Sequence, residues 1–275
     1  MIELPEATVI SREINDSLQG KTIKKVVTAH SPHKFAWYHE DPGDYDQLLA
    51  NSTIQRSYNH GGFVRIDLSN NKTLLLSEGI RIRYLKEGEK LPEKHQLLIE
   101  FSDRSSFVCS VQMYGGLCAF TYGDYDNEYF SAARKKPSPL SEGFDRGYFD
   151  NLIDNCSDKL SLKAFLATEQ RIPGLGNGVL HDILFNAKLH HKKKINTLND
   201  GHKAALFGSV KNTLAKMTEA GGRDTETDIF GYPGGYKTIL SKNTVNKPCT
   251  ICGSIIQKQS YMGGSIYFCP SCQEM

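Results

Sequence analysis

Apolar and polar positions change rhythm about halfway along the chain. Through residue 130 the apolar positions fall in short blocks rich in β-branched and aromatic residues: 63–68 (FVRIDL), 73–76 (TLLL), 80–84 (IRIRY), 97–101 (LLIEF) and 106–111 (SFVCSV). Segment 80–84 alternates apolar residues with arginine, the period of two expected of a strand with one buried face. Clusters such as Ser69-Asn70-Asn71 and Ser102-Asp103 separate the blocks, and such punctuation marks turns between strands. Two helices are predicted in this half, one from Glu6 to Gln19, stopped by Gly20, and one from Tyr45 to Ala50. Strands preceded by a single long helix predict a sandwich or barrel.

Residues 131–147 (SAARKKPSPLSEGFDRG) combine proline, serine and charge, the chemistry of a linker. Beyond them the apolar spacing becomes helical, predicting helices at 148–155, 161–169, 177–187 and about 200–220. Residues 221–247 are glycine-rich and polar and read as a long loop. The expected class is therefore α+β with several domains: a strand domain over 1–130, a linker over 131–147, a helical domain over 148–240, and a cysteine-bearing module over 245–275.

Composition narrows the partners. Net charge is only +2, but residues 1–150 hold 18 Lys+Arg against 21 Asp+Glu, while residues 151–275 hold 15 against 10. Basic charge gathered in one half suits a polyanion. No apolar run approaches the ~18–20 residues that a membrane helix needs. The opening Glu3, Pro5 and Glu6 lack the pattern of a secretory signal. A cytoplasmic protein, monomeric and independent of membranes, is the expectation.

Four of the seven cysteines lie near the C-terminus as Cys249-Thr-Ile-Cys252 and Cys269-Pro-Ser-Cys272, with 16 residues between the pairs. Two such turns close a tetrahedron of thiolates around one structural zinc ion. With no open position, the metal would fold the ribbon and take no part in catalysis. Strands IIQKQ and SIYF, turned by Gly263-Gly264, would form that ribbon. Upstream, residues 165–188 (FLATEQRIPGLGNGVLHDILFNAK) place a glycine-rich turn before an apolar helix that begins at Asn177. The free N–H groups near Gly176 and Asn177 make a natural phosphate cradle, and Lys188 with Lys192 to Lys194 would add attracting charge.

Three segments together carry a resemblance. The opening M-I-E-L-P-E-A resembles that of the formamidopyrimidine-DNA glycosylase / endonuclease VIII family. IPGLGNGVLHDILFNAKLHH resembles its helix–two-turn–helix motif, and the cysteine quartet with Gly263-Gly264-Ser265 and Tyr267-Phe268-Cys269-Pro270 resembles its zinc finger. The resemblance runs end to end and implies an N-terminal β-sandwich with a flanking helix, a helical domain and a zinc ribbon. Double-stranded DNA, damaged or abasic, would lie between the lobes. It implies a bifunctional DNA glycosylase / AP lyase whose N-terminal amine forms a Schiff base with the sugar. An α-amine suits that task, because its pKa of ~7.7–8.0 leaves some neutral nucleophile near pH 7. Glu3 matches the family's proton shuttle and Glu6 a second acid of the opening; simple helix capping is the alternative for both.

The chain also departs from the family pattern. Ile2 replaces the nucleophilic proline, and so large a second residue predicts that Met1 is retained as the amine. The stretch Asn59–Phe63 lacks the family's phosphate-contacting lysine, leaving His60 as a substitute. Met113 stands for the arginine that fills the space of a flipped base, followed by Tyr114, and Ile80 stands for a second void-filling residue. Gly264 falls where the zinc-finger arginine would be. Two further readings follow: a catalytically silent protein that binds damaged or bent DNA, and an RNA- or ribosome-associated protein.

Overall fold

The computed structural model describes residues 2–275. Helix α1 (Leu4–Leu18) leads into β1 (Ile23–Thr28), β2 (Ala36–Trp37), α2 (Tyr45–Leu49), β3 (Ile54–His60), β4 (Phe63–Leu68), β5 (Lys72–Leu76), β6 (Ile80–Leu85), β7 (Leu97–Phe101), β8 (Ser106–Val111) and β9 (Gly115–Thr121). One sheet has the order β1-β7-β8-β6, the other β2-β9-β5-β4-β3. Only β2 runs parallel to its neighbour. The facing sides bury Val64, Ile66, Leu74, Leu76, Ile82, Leu97, Phe107 and Leu117. Each such side chain removed from water contributes about 1.5–3 kcal/mol.

All five expected strands form, while β1, β2, β3 and β9 lie outside them. Strand β3 (IQRSYNH) is polar because it is an edge strand, and β9 opens with two glycines. Neither offers a clear alternation of apolar and polar positions. The segment read as a linker starts differently from expectation. Helix α3 (Glu128–Lys135), capped by Asn127, carries its first five residues, and Phe130 and Ala133 are buried.

The second half is helical: α4 (Arg146–Asp154), α5 (Leu162–Ala167), α6 (Asn177–Asn186) and α7 (Asp200–Glu219). Their apolar faces share a second core built on Phe149, Phe165, Leu180, Ile183, Leu206 and Leu214. Helix α1 serves both cores. Leu4 belongs to the helical one, whereas Ala7, Ile10, Ile14 and Leu18 belong to the sandwich. The two lobes also meet backbone to backbone. A Cβ on Gly174 would lie 2.5 Å from the carbonyl carbon of Gly61, and both glycines have positive φ. Only glycine lets the β3–β4 turn and the turn before α6 approach so closely.

Strands β10 (Gln257–Tyr261) and β11 (Gly264–Phe268) form the C-terminal ribbon. Their turn is Met262-Gly263, both with positive φ, and Gly264 is the first residue of β11. A two-residue turn of this hand matches the twist of the flanking strands. Ile266 and Phe268 reach the helical core, so the ribbon packs onto that lobe.

Candidate nucleic-acid interface at the junction of the lobes

The chain's first residues are held by charge in a place where charge is expensive. Glu6 reaches back from the first turn of α1 to the backbone N–H of Glu3 at 3.2 Å. Glu3 is the N-cap of α1 and forms a capping box with Glu6, and its side chain also caps a second helix. Its two oxygens accept from the N–H groups of Gly178 and Val179, each at 2.8 Å. Those are orphan donors in the first turn of α6, at its positive dipole end. The capping alternative thus holds for α1 itself, and Glu3 in addition caps a helix more than 170 residues downstream. Leu4 donates to the Gly174 carbonyl at 2.8 Å and secures the same junction.

Arg223, from the loop after α7, completes the arrangement. It donates to Glu6 through Nε at 2.9 Å and Nη2 at 2.7 Å, and its Nη1 lies 3.6 Å from Glu3. All three side chains are buried. Burial pushes Glu3 above the usual carboxylate range, opposed by Arg223 and the two backbone donors. Burial acts on Glu6 in the same sense, but the charge and hydrogen bonds of Arg223 outweigh it and hold Glu6 low. One guanidinium cannot neutralise two carboxylates, and Glu3 is the one left able to hold a proton. Gly178 makes room: a Cβ there would lie 1.4 Å from Arg223 Nη1.

Ile2 is buried in the sandwich core. Met1 lies outside the described residues. Gly176 caps α6, and a Cβ on it would stand 2.7 Å from Glu3 Oε1. Asn177 is the first residue of α6, its Oδ1 buried without a hydrogen-bond partner among the described residues. The ribbon's tip leans over it, so a Cβ on Gly264 would meet Asn177 Nδ2 at 2.4 Å. Buried Lys163 joins this contact by donating to the carbonyl of Tyr261.

Several expected interface residues are placed otherwise. Ile80 is 2% exposed inside the sandwich core and is not available as a wedge. Met113, 61% exposed, is the apolar side chain that stands free, with Tyr114 beside it and half-buried. His60 does not replace a lysine. Burial, with Arg65 and Arg134 nearby, pushes it down to about 4, so it is neutral at pH 7. Lys188 is exposed but sits past the far end of α6, roughly 15 Å from Asn177 by helix rise. Of the lysines after it, Lys193 is buried against Glu274 at 3.2 Å and the Met275 carbonyl at 2.7 Å. Lys192 donates to Gln259 and Lys194 to the Lys159 carbonyl.

The loop 221–236 is packed down. Ile229 is fully buried, its carbonyl accepts from the Tyr84 N–H at 2.7 Å, and its N–H donates to Glu13 at 3.2 Å. Its glycines permit this close packing: a Cβ on Gly234 would lie 2.3 Å from the Gly222 carbonyl. Sequence reading missed Arg223 altogether. The signal that could have found it is an arginine that follows two glycines in an otherwise acidic loop.

The four cysteines converge. Their Sγ atoms lie within 4.8 Å of one another, with Cys249–Cys272 at 3.8 Å and Cys252–Cys269 at 3.5 Å. Four Zn–S bonds of about 2.3 Å in a tetrahedron require S···S separations near ~3.8 Å. The quartet fits a metal ion. No helix among the described residues is long and apolar enough to cross a membrane.

A sandwich and a helix–two-turn–helix lobe joined at a buried acidic N-terminus, with a four-cysteine ribbon, define a two-lobed architecture known from solved structures. The MutM (Fpg) protein of Thermus thermophilus superposes with a TM-score of 0.81 at 24% identity, covering 98% of both chains. Lactococcus lactis Fpg, solved with DNA containing an abasic site, gives 0.83 at 23% identity over 99% of this chain and all of its own. The sequence profile of the formamidopyrimidine-DNA glycosylase N-terminal domain matches residues 1–112. The formamidopyrimidine-DNA glycosylase of Mycoplasma mobile is 29% identical over the full length of both chains. From end to end the chain is thus similar in sequence and in fold to the formamidopyrimidine-DNA glycosylases.

Proposed function

We infer that this protein acts in DNA repair as a DNA glycosylase / AP lyase, with the amine at its N-terminus as nucleophile. The relatives that bear the glycosylase name cover the whole chain, and the Lactococcus lactis relative was solved on abasic DNA. The observation that carries the reading is the buried Glu3–Arg223–Glu6 cluster at the start of the chain. Desolvating carboxylates costs several kcal/mol each. Here that cluster holds the first residues against α6 and keeps a carboxyl able to take and return a proton within the chain's first three residues. Attack of a neutral amine on C1′ of a damaged nucleoside displaces the base; the amine then gives up its protons as the C1′–O4′ bond opens and O4′ takes a proton, leaving the Schiff base. Glu3 is the proton carrier for that exchange. The partner is damaged or abasic duplex, contacted through Gly176, Asn177, Met113 and Tyr114. The four thiolates hold zinc, which stiffens the ribbon over Asn177. One chain supplies both lobes, so a monomer suffices.

Borohydride trapping on an abasic-site duplex tests this reading. A covalent adduct at the N-terminal residue is expected, and Glu3→Gln should lower its yield at least tenfold. One observation favours the silent alternative. Both Glu3 oxygens are already held by backbone N–H groups, as they would be in a purely structural cap. Tight binding of the abasic duplex with no adduct selects that alternative. Intact mass of the purified chain shows whether Met1 or Ile2 bears the amine.

A further inference from the structure

The outer face of the five-stranded sheet is divided in two. One half is roofed, with Leu75, Cys118 and Phe120 packed against Phe130 of α3 and Tyr125. The other half is open, and it is polar and aromatic. Arg56 and Tyr58 of β3 stand across from Asp67 and Arg65 of β4, and Tyr122 directly follows β9. Val64, Ile66 and Leu68 belong to the sandwich core, so the alternation of a strand turns Arg65 and Asp67 outward. Tyr58 is 39% exposed and Tyr122 47%.

These side chains form a stack. The Arg65 guanidinium lies 5.7 Å from the Tyr58 ring centre and 4.9 Å from that of Tyr122, and the Arg56 guanidinium lies 5.3 Å from Tyr58. Asp67 fixes Arg65 by accepting from its Nε and Nη2, each at 2.7 Å. Beside the stack is a hollow of about 290 Å³, lined by Gln55, Arg65, Asp67, Lys72 and Tyr122 among others. Lys72 donates one N–H to the Thr121 hydroxyl at 2.9 Å, and an ammonium carries others. Among the residues that line the hollow or stack beside it, Arg56, Arg65 and Lys72 are cations and Asp67 is the single acid. That excess runs against the acidic balance of residues 1–150. The hollow opens at the Leu68 end of β4, whereas the junction of the lobes lies past its Phe63 end. Five steps of about 3.4 Å separate the two by roughly 17 Å.

We propose that this open face is a second nucleic-acid contact, which holds an unpaired strand with bases stacked on Tyr58 and Tyr122 and phosphates drawn to Arg56, Arg65 and Lys72. Bases stack on aromatic rings and on guanidinium planes whatever their sequence, and cations beside the rings attract the phosphates. A duplex hides the faces of its bases and leaves the rings unused. An acidic peptide would use the cations alone. A single strand uses both, which is why it is the partner that fits. The contact is separate from the junction of the lobes and from the chemistry proposed there.

Fluorescein-labelled octathymidylate is titrated with the full-length protein at low salt and followed by anisotropy. The titration is run twice, with the protein alone and with the protein saturated by an unlabelled abasic duplex. Binding in both, with Kd changed less than about twofold, is the expected result. Tyr122→Ala should weaken the oligonucleotide about tenfold. Arg56→Gln should lessen the slope of log Kd against log salt by about 0.7. Neither variant should change affinity for the abasic duplex. Absence of oligonucleotide binding, its displacement by the duplex, or wild-type affinity in Tyr122→Ala overturns the proposal. Octaglutamate binding that suffers the same loss in Tyr122→Ala also overturns it, in favour of an acidic protein partner. Failure of the abasic duplex to bind, with the oligonucleotide still bound and sensitive to Tyr122→Ala, sinks the junction reading and leaves this face standing.

Discussion

Individual side chains at the junction are poised by burial. His181 on α6 is the clearest case, with its Nε2 buried and unpartnered among the described residues. Burial pushes it down to about 3, the charges of Arg223 and Lys163 adding to the effect. The folded protein keeps this imidazole neutral where the unfolded chain protonates it near pH 6.5. Its contribution to stability is therefore complete above about pH 6.5 and is lost as pH falls toward 3. At pH 5 the loss is on the order of 2 kcal/mol. Urea denaturation of the wild type and of His181→Gln at pH 7 and pH 5 measures it. The variant should lose about 2 kcal/mol less between the two pH values, and equal losses would remove His181 as the cause. Residue scale also explains why the basic charge of the second half is less available than its count suggests. Lys163, Lys193 and Arg223 are all buried against carbonyl or carboxylate oxygens.

At the scale of elements, α1 and α6 are locked end to end. Glu3 caps α6 from the N-terminal side of α1, and Arg223 threads past Gly178 to reach both glutamates. Any side chain at 178 occupies the guanidinium's path. Gly178→Ala should displace Arg223 and strand two buried carboxylates, costing about 3–5 kcal/mol. Alanine is the better helix former, so intrinsic propensity alone predicts a gain of about 1 kcal/mol. The sign of the change in the denaturation midpoint separates the two effects. A stabilised Gly178→Ala protein would show that Arg223 is not confined as described.

Across the whole molecule the ribbon is the least self-sufficient part. The cluster around its cysteines is small (Phe185, Leu240, Cys249, Ile256 and Cys269), and Ile266, Phe268 and the partly buried Tyr261 reach the helical core. Metal binding by such modules supplies roughly 10–16 kcal/mol that small apolar cores cannot. Stripping the metal with a strong chelator should unfold residues 245–275 to proteolysis and lower affinity for abasic duplex at least tenfold. The sandwich, whose core shares no residue with the ribbon, should keep its Trp37 emission maximum. Protease resistance of the ribbon after complete metal removal would refute this division.

Periodicity and spacing made much of this protein legible before any coordinates. The strands with strong apolar patterning, the four helices after residue 145 and the cysteine quartet all depend on near neighbours in the chain, where pattern and structure share one cause. The Glu3–Arg223–Glu6 cluster, the burial of Ile80 and Lys193, the neutral His60 and the closed 221–236 loop join residues far apart in sequence. Their states are set by desolvation, and desolvation exists only once both lobes have closed around the same few side chains. The chain's own residues thus decided which elements form and that residues 245–275 build a four-cysteine ribbon able to hold a metal ion. Only the packing of α1 against both cores decided which charges survive at the surface.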